Sequence, residues 1–461
     1  MMRAFRLQEL AGVLGTAAPS ANTRVERVVT DTRTLRQGDL FVALRGDRFD
    51  GHGFLEAARE AGAAAAVVDT TNPDSVLPQL VVPDTVQALA DLARFNREQS
   101  RAGVVAITGS SGKTTLKEML AAILLNEGET LATQGNLNNH IGAPLTLLRV
   151  APEHRFAVIE LGASGLGEIA HTVAAARPDV AVITNAGEAH LEGFGSYDNI
   201  VQAKGEIIDG LGASGTVVLN ADDPAYRRWK QRAGARQVVS VSASGAESDY
   251  CCTGFESLGE GYRITVAIRG GRECQLEIAL SGEHNISNAL LAMAAAEALG
   301  ASEASVRGGL AAVKTAAGRL ERKVLSERVT VIDDSYNANP SSMKAALEVL
   351  AGAPATRVAL LGAMAELGPG SAQLHQEVGT HARKLGVEQL LVVGAGSDCA
   401  ALTTGFGDVA RCFDTHEQAV DWLLEKVTGP LTVLVKGSRS SAMDQAVRLL
   451  QEKVGHSCCS G

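Results

Sequence analysis

The sequence predicts an α/β protein of three domains: a small mixed α/β N-terminal domain (1–100), a central parallel-sheet domain with an antiparallel flank (101–315), and a C-terminal Rossmann-like doubly wound domain (316–461). Three observations carry that expectation. The chain has 461 residues, which at about 150 residues per domain means three. Apolar runs of strand length alternate with helical stretches from Gly103 and again from Val329, the rhythm of right-handed βαβ units around a parallel sheet. The composition is that of a packed chain, 46% hydrophobic and 20% charged, with 49 glycines for tight turns.

In order, short apolar strands are expected at Arg27–Val29, Leu40–Leu44 and Ala66–Val68, and a helix over Val86–Gln99 leads into the centre. Gly103–Thr108 is continuously apolar, as a strand buried on both faces must be. A Gly-containing turn and a helix over Lys113–Asn126 follow. Then come strand Phe156–Leu161, helix Glu168–Ala176, strand Val180–Thr184, helix Asp198–Leu211 and strand Thr216–Asn220. Residues 236–280 change to period-2 alternation with Gly turns, as in Tyr262–Val266, and predict the antiparallel flank. Helices are expected over Ile286–Leu299 and Ser302–Val313. The last alternation places strands at 329–333, 357–361, 389–393 and 431–435, with helices centred on 341–350, 373–385, 415–427 and 441–453.

Forty-two Lys and Arg against 52 Asp and Glu leave a net charge of -10. Such a chain is a poor nucleic-acid binder, because a phosphate backbone needs a concentrated positive surface. The seven cysteines, Cys251, Cys252, Cys274, Cys399, Cys412, Cys458 and Cys459, are odd in number and contain no C-x-x-C, so reduced thiols are expected rather than disulfides or a zinc site. Arg3, Arg6, Gln8 and Glu9 interrupt the N-terminal stretch, which lacks the apolar core of a signal peptide. No run reaches the ~18 apolar residues of a membrane span. A cytoplasmic protein without membrane insertion is expected, and a monomer.

The strongest local signal is Thr108-Gly109-Ser110-Ser111-Gly112-Lys113-Thr114-Thr115, a Gly-rich turn between a buried strand and a helix. Its consecutive N–H groups form an anion nest, reinforced by the helix N-terminus. Lys113 reaches β/γ-phosphates in such a turn, and the Thr114 hydroxyl is placed for Mg²⁺. The general P-loop pattern wants Gly where this chain has Ile107, so the match is to a shorter form. Gly210-Leu211-Gly212-Ala213-Ser214-Gly215 also spells G-x-G-x-x-G, but it precedes a strand instead of following one. Gly394-Ala395-Gly396 follows a strand but has Cys399 at the third position.

A P-loop nucleotide needs a carboxylate for its metal at the end of a neighbouring strand. Glu160 ends the strand beside the turn, and the next strand delivers His190 to the same edge, where ligands of parallel sheets bind. Lys204, on the following helix, reads from the residues alone as a surface lysine.

The motifs ITGSSGKTT (107–115), NLNNHIGAPLTLL (136–148), ELGAS (160–164), NAGEAHLEGFGS (185–196), AKGEI (203–207), HNISNAL (284–290), GR (318–319), DDSYNANP (333–340) and KGSRS (436–440) together resemble the Mur ligase family of ATP-dependent peptide-bond-forming enzymes. The likeness runs over essentially the whole chain. It implies that Gly109, Ser110, Ser111, Gly112, Lys113, Thr114 and Thr115 hold the ATP phosphates, and that Thr114, Glu160 and His190 serve Mg²⁺. It makes Lys204 a carbamylated metal ligand, reversing the surface reading. It sets Asn285 and Asn288 against the nucleotide, with Arg319, Asp334, Tyr336 and Asn337 closing from the third domain. Lys113, His190, Lys204 and Arg319 would carry catalysis. Thr30, Asp31, Thr32 and Arg33, with Arg45, Gly46, Asp50, Gly51 and His52, match the stretch that grips a UDP-sugar. Asn136, Asn138 and Asn139 would reach its peptide end.

DSYNANP and VKGSRS are similar to the forms in the member that adds D-alanyl-D-alanine to UDP-N-acetylmuramoyl-tripeptide. The resemblance therefore implies those two partners, with Lys436, Ser438 and Arg439 at the dipeptide carboxylate. The alternatives are a relative adding a single amino acid, and a P-loop switch or scaffold. The chain departs from the family pattern at LGAMAELG (361–368), where Ala363 stands for a usual Asp, and at Thr32, where Ser is usual.

Overall fold

The computed structural model describes residues 2–20, 22–46, 49–259 and 261–457. Cys458 and Cys459, counted above, lie outside them. Nine strands make the central sheet, in the order Thr130–Ala132, Phe156–Glu160, Gly103–Thr108, Val180–Ile183, Thr216–Asn220, Gln237–Ser242, Tyr250–Ser257, Tyr262–Ile268 and Arg272–Ile278. Gly103–Thr108 enters between two strands that the chain makes later, so strand order reverses there and opens a crevice at their carboxyl ends. Alternate residues of that strand serve opposite cores. Val104 and Ala106 pack with the helices Glu168–Ala176 and Tyr197–Asp209, and Val105 and Ile107 with Lys113–Leu125 and His284–Ala298. The continuous apolar run follows from this two-sided burial.

The expectation for 236–280 needs correction. Gln237–Ser242 joins Thr216–Asn220 in parallel, and Tyr250–Ser257 begins parallel to it. Only the last two pairings are antiparallel. The helix Tyr226–Ala233 is the cause: it carries the chain back for one more right-handed crossover before hairpins take over.

The first domain holds a four-stranded parallel sheet, ordered Val28–Val29, Leu40–Val42, Ala65–Val68 and Gln79–Val81. Its last helix, Thr85–Glu98, is fastened to the centre by two buried polar residues. Asn96 Nδ2 donates to the Leu147 and Val150 carbonyls, both at 2.9 Å, at the end of the helix Gly142–Leu147. Arg97 Nε donates to Ala176 O at 3.2 Å, and its Nη2 to Arg177 O and Asp179 Oδ2. These bonds tie the helix to carbonyls at and just beyond the ends of Gly142–Leu147 and Glu168–Ala176, where backbone acceptors are left over. One hydrophobic core accordingly runs from Met2 to Ala233.

The third sheet runs Glu321–Val324, Val329–Asp334, Leu431–Lys436, Thr356–Gly362, Gln389–Val393 and Arg411–Phe413, parallel except at its first, antiparallel edge. Its switch point places Asp334 beside Lys436. The short edge strands Thr130–Ala132, Glu321–Val324 and Arg411–Phe413 and the helix Ser397–Phe406 were not among the sequence expectations.

Candidate active site

One cavity of about 910 Å³ lies between the carboxyl ends of the central and third sheets. The phosphate turn forms its floor. Gly109 has φ 147°, and a Cβ there would stand 1.8 Å from Thr184 Oγ1. Gly112 opens the helix at φ 80°, where a Cβ would stand 2.8 Å from Asn288 Oδ1. Only glycine fits either position. Thr184 Oγ1 donates to Ser111 O at 2.6 Å, Ser111 N to Asn185 Oδ1 at 3.0 Å, and Gly187 N to Ser110 Oγ at 2.9 Å. The turn is thus preshaped by the neighbouring strand end. Lys113 is no loose surface group: it is half-buried, its Nζ donates to Gly109 O at 2.6 Å, and burial lowers its pKa against the pull of Glu160.

Thr114 Oγ1 lies 3.0 Å from Glu160 Oε2, and Asn138 Nδ2 donates to Glu160 Oε1 at 2.8 Å. A hydroxyl and a carboxylate side by side are hard oxygen ligands, and magnesium in phosphate sites takes only one or two of these from protein. The residues present therefore fit that ion. Among the described residues, no cluster of three or more His, Cys, Asp and Glu side chains forms a metal site. His190 lines the same cavity, its Nδ1 against Glu366 of the third domain.

Lys204 corrects the surface reading outright. It is 2% exposed, lies outside the cavity lining, and sets its Nζ 5.1 Å from the Phe194 ring centroid. Burial first, then repulsion from Lys113, pushes it down to about 7.

Asn285 and Asn288 face the turn, joined through Asn288 Nδ2 and Asn285 Oδ1 at 2.9 Å. From the third domain, Arg319 stacks on Tyr336 with its Cζ 4.3 Å from the ring centroid, and Asn337 is exposed beside it. Asp334 is held by Leu320 N at 3.1 Å and by buried Lys436 Nζ at 2.5 Å. Ser438 Oγ donates to Ala363 O at 2.7 Å. Lys436, Ser438 and Arg439 all line the cavity; the first two are buried and paired within the protein, and Arg439 is exposed. Asn136 and Asn139 also line the cavity, though Asn139 Oδ1 already accepts from Ile141 N at 3.2 Å and Gly142 N at 2.8 Å. Ala363 lies outside the lining and packs on the third-domain core.

The first-domain residues Thr30, Asp31, Thr32, Arg33, Arg45, Gly46, Asp50, Gly51 and His52 do not line this cavity. Asp31 accepts from Arg33 N and Nε, both at 3.0 Å. Arg45 is gripped in two-point fashion by Asp69, at 2.9 Å for each bond, and contacts Asp50, which also binds His52 Nδ1 at 2.7 Å. Arg45 holds the Asp69 carboxyl down to about 2. Sequence reasoning missed Asp69, which has no motif, and His284 and Glu366, which line the cavity. The last two lie inside stretches already quoted, HNISNAL and LGAMAELG.

Fold and cavity together define a P-loop phosphate-transfer site shared by two α/β domains. Family models match in three stretches: "Mur ligase family, catalytic domain" at 24–124, "Mur ligase middle domain" at 107–296 and "Mur ligase, glutamate ligase domain" at 318–439. The UDP-N-acetylmuramoyl-tripeptide--D-alanyl-D-alanine ligase of Escherichia coli is 44% identical over 98% of this chain and 99% of its own. Among solved structures, MurF from Acinetobacter baumannii aligns with a TM-score of 0.91 at 35% identity, covering 98% of this chain and 99% of that one. MurF from Thermotoga maritima in complex with ADP aligns at 0.84 and 29% identity, covering 93% and 97%. The chain belongs to the Mur ligase family.

Proposed function

We propose that this protein is an ATP-dependent ligase that joins D-alanyl-D-alanine to UDP-N-acetylmuramoyl-tripeptide in peptidoglycan precursor synthesis. The full-length likeness to ligases of that name carries the reading, and the cavity supplies the chemistry. A carboxylate is a poor electrophile. Its oxygen first attacks the γ-phosphorus of ATP, releasing ADP. The dipeptide amine then attacks the acyl carbon, and inorganic phosphate leaves.

The protein's own part is position and charge. The N–H groups of Gly109 to Thr115 hold the phosphates, and Lys113 and Arg319 face the charge that develops on them. Thr114 and Glu160 would hold a magnesium ion, with His190 on the same cavity wall, and that ion would supply further charge neutralisation. Lys204, held near neutrality by burial, is suited to take up CO₂ as a carbamate. The third domain excludes water, which would otherwise hydrolyse the acyl phosphate. Arg439, exposed on the cavity wall, is the group available for the dipeptide carboxylate through charge-assisted bonds. The Arg45–Asp69 assembly of the first domain holds the UDP-sugar. No helix of the described residues is long and apolar enough to cross a membrane, and the proposed enzyme works as a cytoplasmic monomer.

Phosphate release tests the reading against a nucleotide switch. The ligase needs all three substrates to turn over, so omitting the UDP-tripeptide should reduce ADP formation to background, and omitting the dipeptide should leave at most one ADP per active site and no continuing phosphate release. Undiminished hydrolysis of ATP alone would favour the switch.

A further inference from the structure

The loop Ala363–Leu367 leaves the third sheet, carries none of the residues assigned above, and touches the central domain. Its root is firmly held. Ala363 O accepts from Ser438 N at 3.0 Å and Ser438 Oγ at 2.7 Å. Met364 N donates to Nε2 of the fully buried His375 at 2.8 Å, and His375 Nδ1 lies 2.8 Å from Ser371 O. An accepting Nε2 leaves the proton on Nδ1, so His375 is a neutral bracket between the loop and the helix Ser371–Lys384.

At the loop's tip, Glu366 meets the central domain twice. Its carboxylate bonds His190 Nδ1, and its carbonyl accepts from Glu192 N at 3.0 Å. Glu366 and His190 both have left-handed backbones, at φ 60° and 56°. Non-glycine residues persist in that region only where their surroundings over-determine them, and such residues gather at functional sites. The two bonds hold each other's backbones in place.

We propose that Glu366 is a positioning residue for the reaction. It accepts the Nδ1 proton of His190, fixes the ring's tautomer and direction, and leaves Nε2 as the free nitrogen facing the cavity. A carboxylate behind a ligating imidazole has this effect generally. Because Glu366 belongs to the third domain, His190 is set only when that domain docks, so closure itself completes the central site. The inference rests on the ligase reading for the reaction it serves, but the docking contact stands independently.

Turnover and amide exchange test it together. Glu366→Ala should lower kcat by about 10- to 100-fold and leave KM for ATP and both peptides nearly unchanged. Glu366→Gln, which keeps an acceptor for Nδ1–H, should recover most of that loss. Hydrogen exchange of residues 190–195 in the free protein should be about tenfold faster in Glu366→Ala than in wild type. Wild-type kcat in Glu366→Ala, a Gln variant no better than the Ala variant, or unchanged exchange would each overturn the proposal. If the wild-type protein forms no product at all, the ligase reading fails, and the exchange comparison still decides the contact.

Discussion

Near neutral pH, the burial that pushes Lys204 down to about 7 leaves much of its amine unprotonated, the form that adds to CO₂. Lys204→Ala should be inactive and partly rescued by small carboxylic acids that replace the carbamate; full activity in the variant would remove that role. The shift also has a stability consequence. A lysine whose folded pKa lies below the unfolded value of about 10.4 opposes folding when charged. That penalty is complete below about pH 7 and fades as pH rises toward 10.4. In CO₂-free buffer, Lys204→Met should therefore be more stable than wild type near pH 6, by a margin that shrinks near pH 9; urea unfolding at both pH values reads it. Lys113→Ala should lose on the order of 10²- to 10³-fold in kcat, as loss of a preorganised charge-stabilising group does, in a protein that still unfolds cooperatively in urea. Equal turnover in a folded variant would contradict the phosphate assignment. Lys113 was legible because strand, turn and helix are contiguous. The burial of Lys204 was not, since a helical lysine looks alike in sequence whichever face it occupies. Glu366 was hidden for another reason: it meets His190 across 176 residues.

Among the elements, the parallel strands were the most legible, because two-sided burial writes a continuous apolar run. Gln237–Ser242 misled because its outer end is less buried and mixes Ser with Val, so the run resembles an alternating edge strand. Local pattern was also silent on the helix Thr85–Glu98 as a fastening between domains. Asn96 and Arg97 look like ordinary polar positions near a helix end, yet Asn96 bonds two carbonyls of the central domain. Asn96→Ala should cost about 1–3 kcal/mol, the usual penalty for leaving buried polar groups unpaired. Equilibrium denaturation checks the loss. A change within about 0.5 kcal/mol, typical of exposed substitutions, would show that the fastening is not made in solution.

At the scale of the whole molecule, three sheets divide the work. The first domain carries the Arg45–Asp69 assembly away from the main cavity, the central sheet supplies the phosphate turn, and the third closes over it with Arg319, Tyr336 and Arg439. The three-domain order and most cavity residues were legible because the phosphate turn, Glu160, the Asn185–His190 stretch, Asp334 and Lys436 sit at or just beyond strand ends, while HNISNAL opens a helix against them. Which third-domain side chains remain free was not legible: Lys436 and Ser438 are paired internally, and only the folded chain leaves Arg439 available. A carboxylate held at that wall places the amine of a dipeptide one peptide unit farther forward than the amine of a single residue. D-Alanine anchored there would hold its amine too far back to attack the acyl phosphate. The most direct measurement is ADP release with UDP-N-acetylmuramoyl-tripeptide and, in turn, D-alanyl-D-alanine, D-alanine, lysine, diaminopimelate and glutamate. Release with the dipeptide and little with the other four is the expected result, whereas preference for any single amino acid would contradict the dipeptide-adding function while leaving the family membership intact.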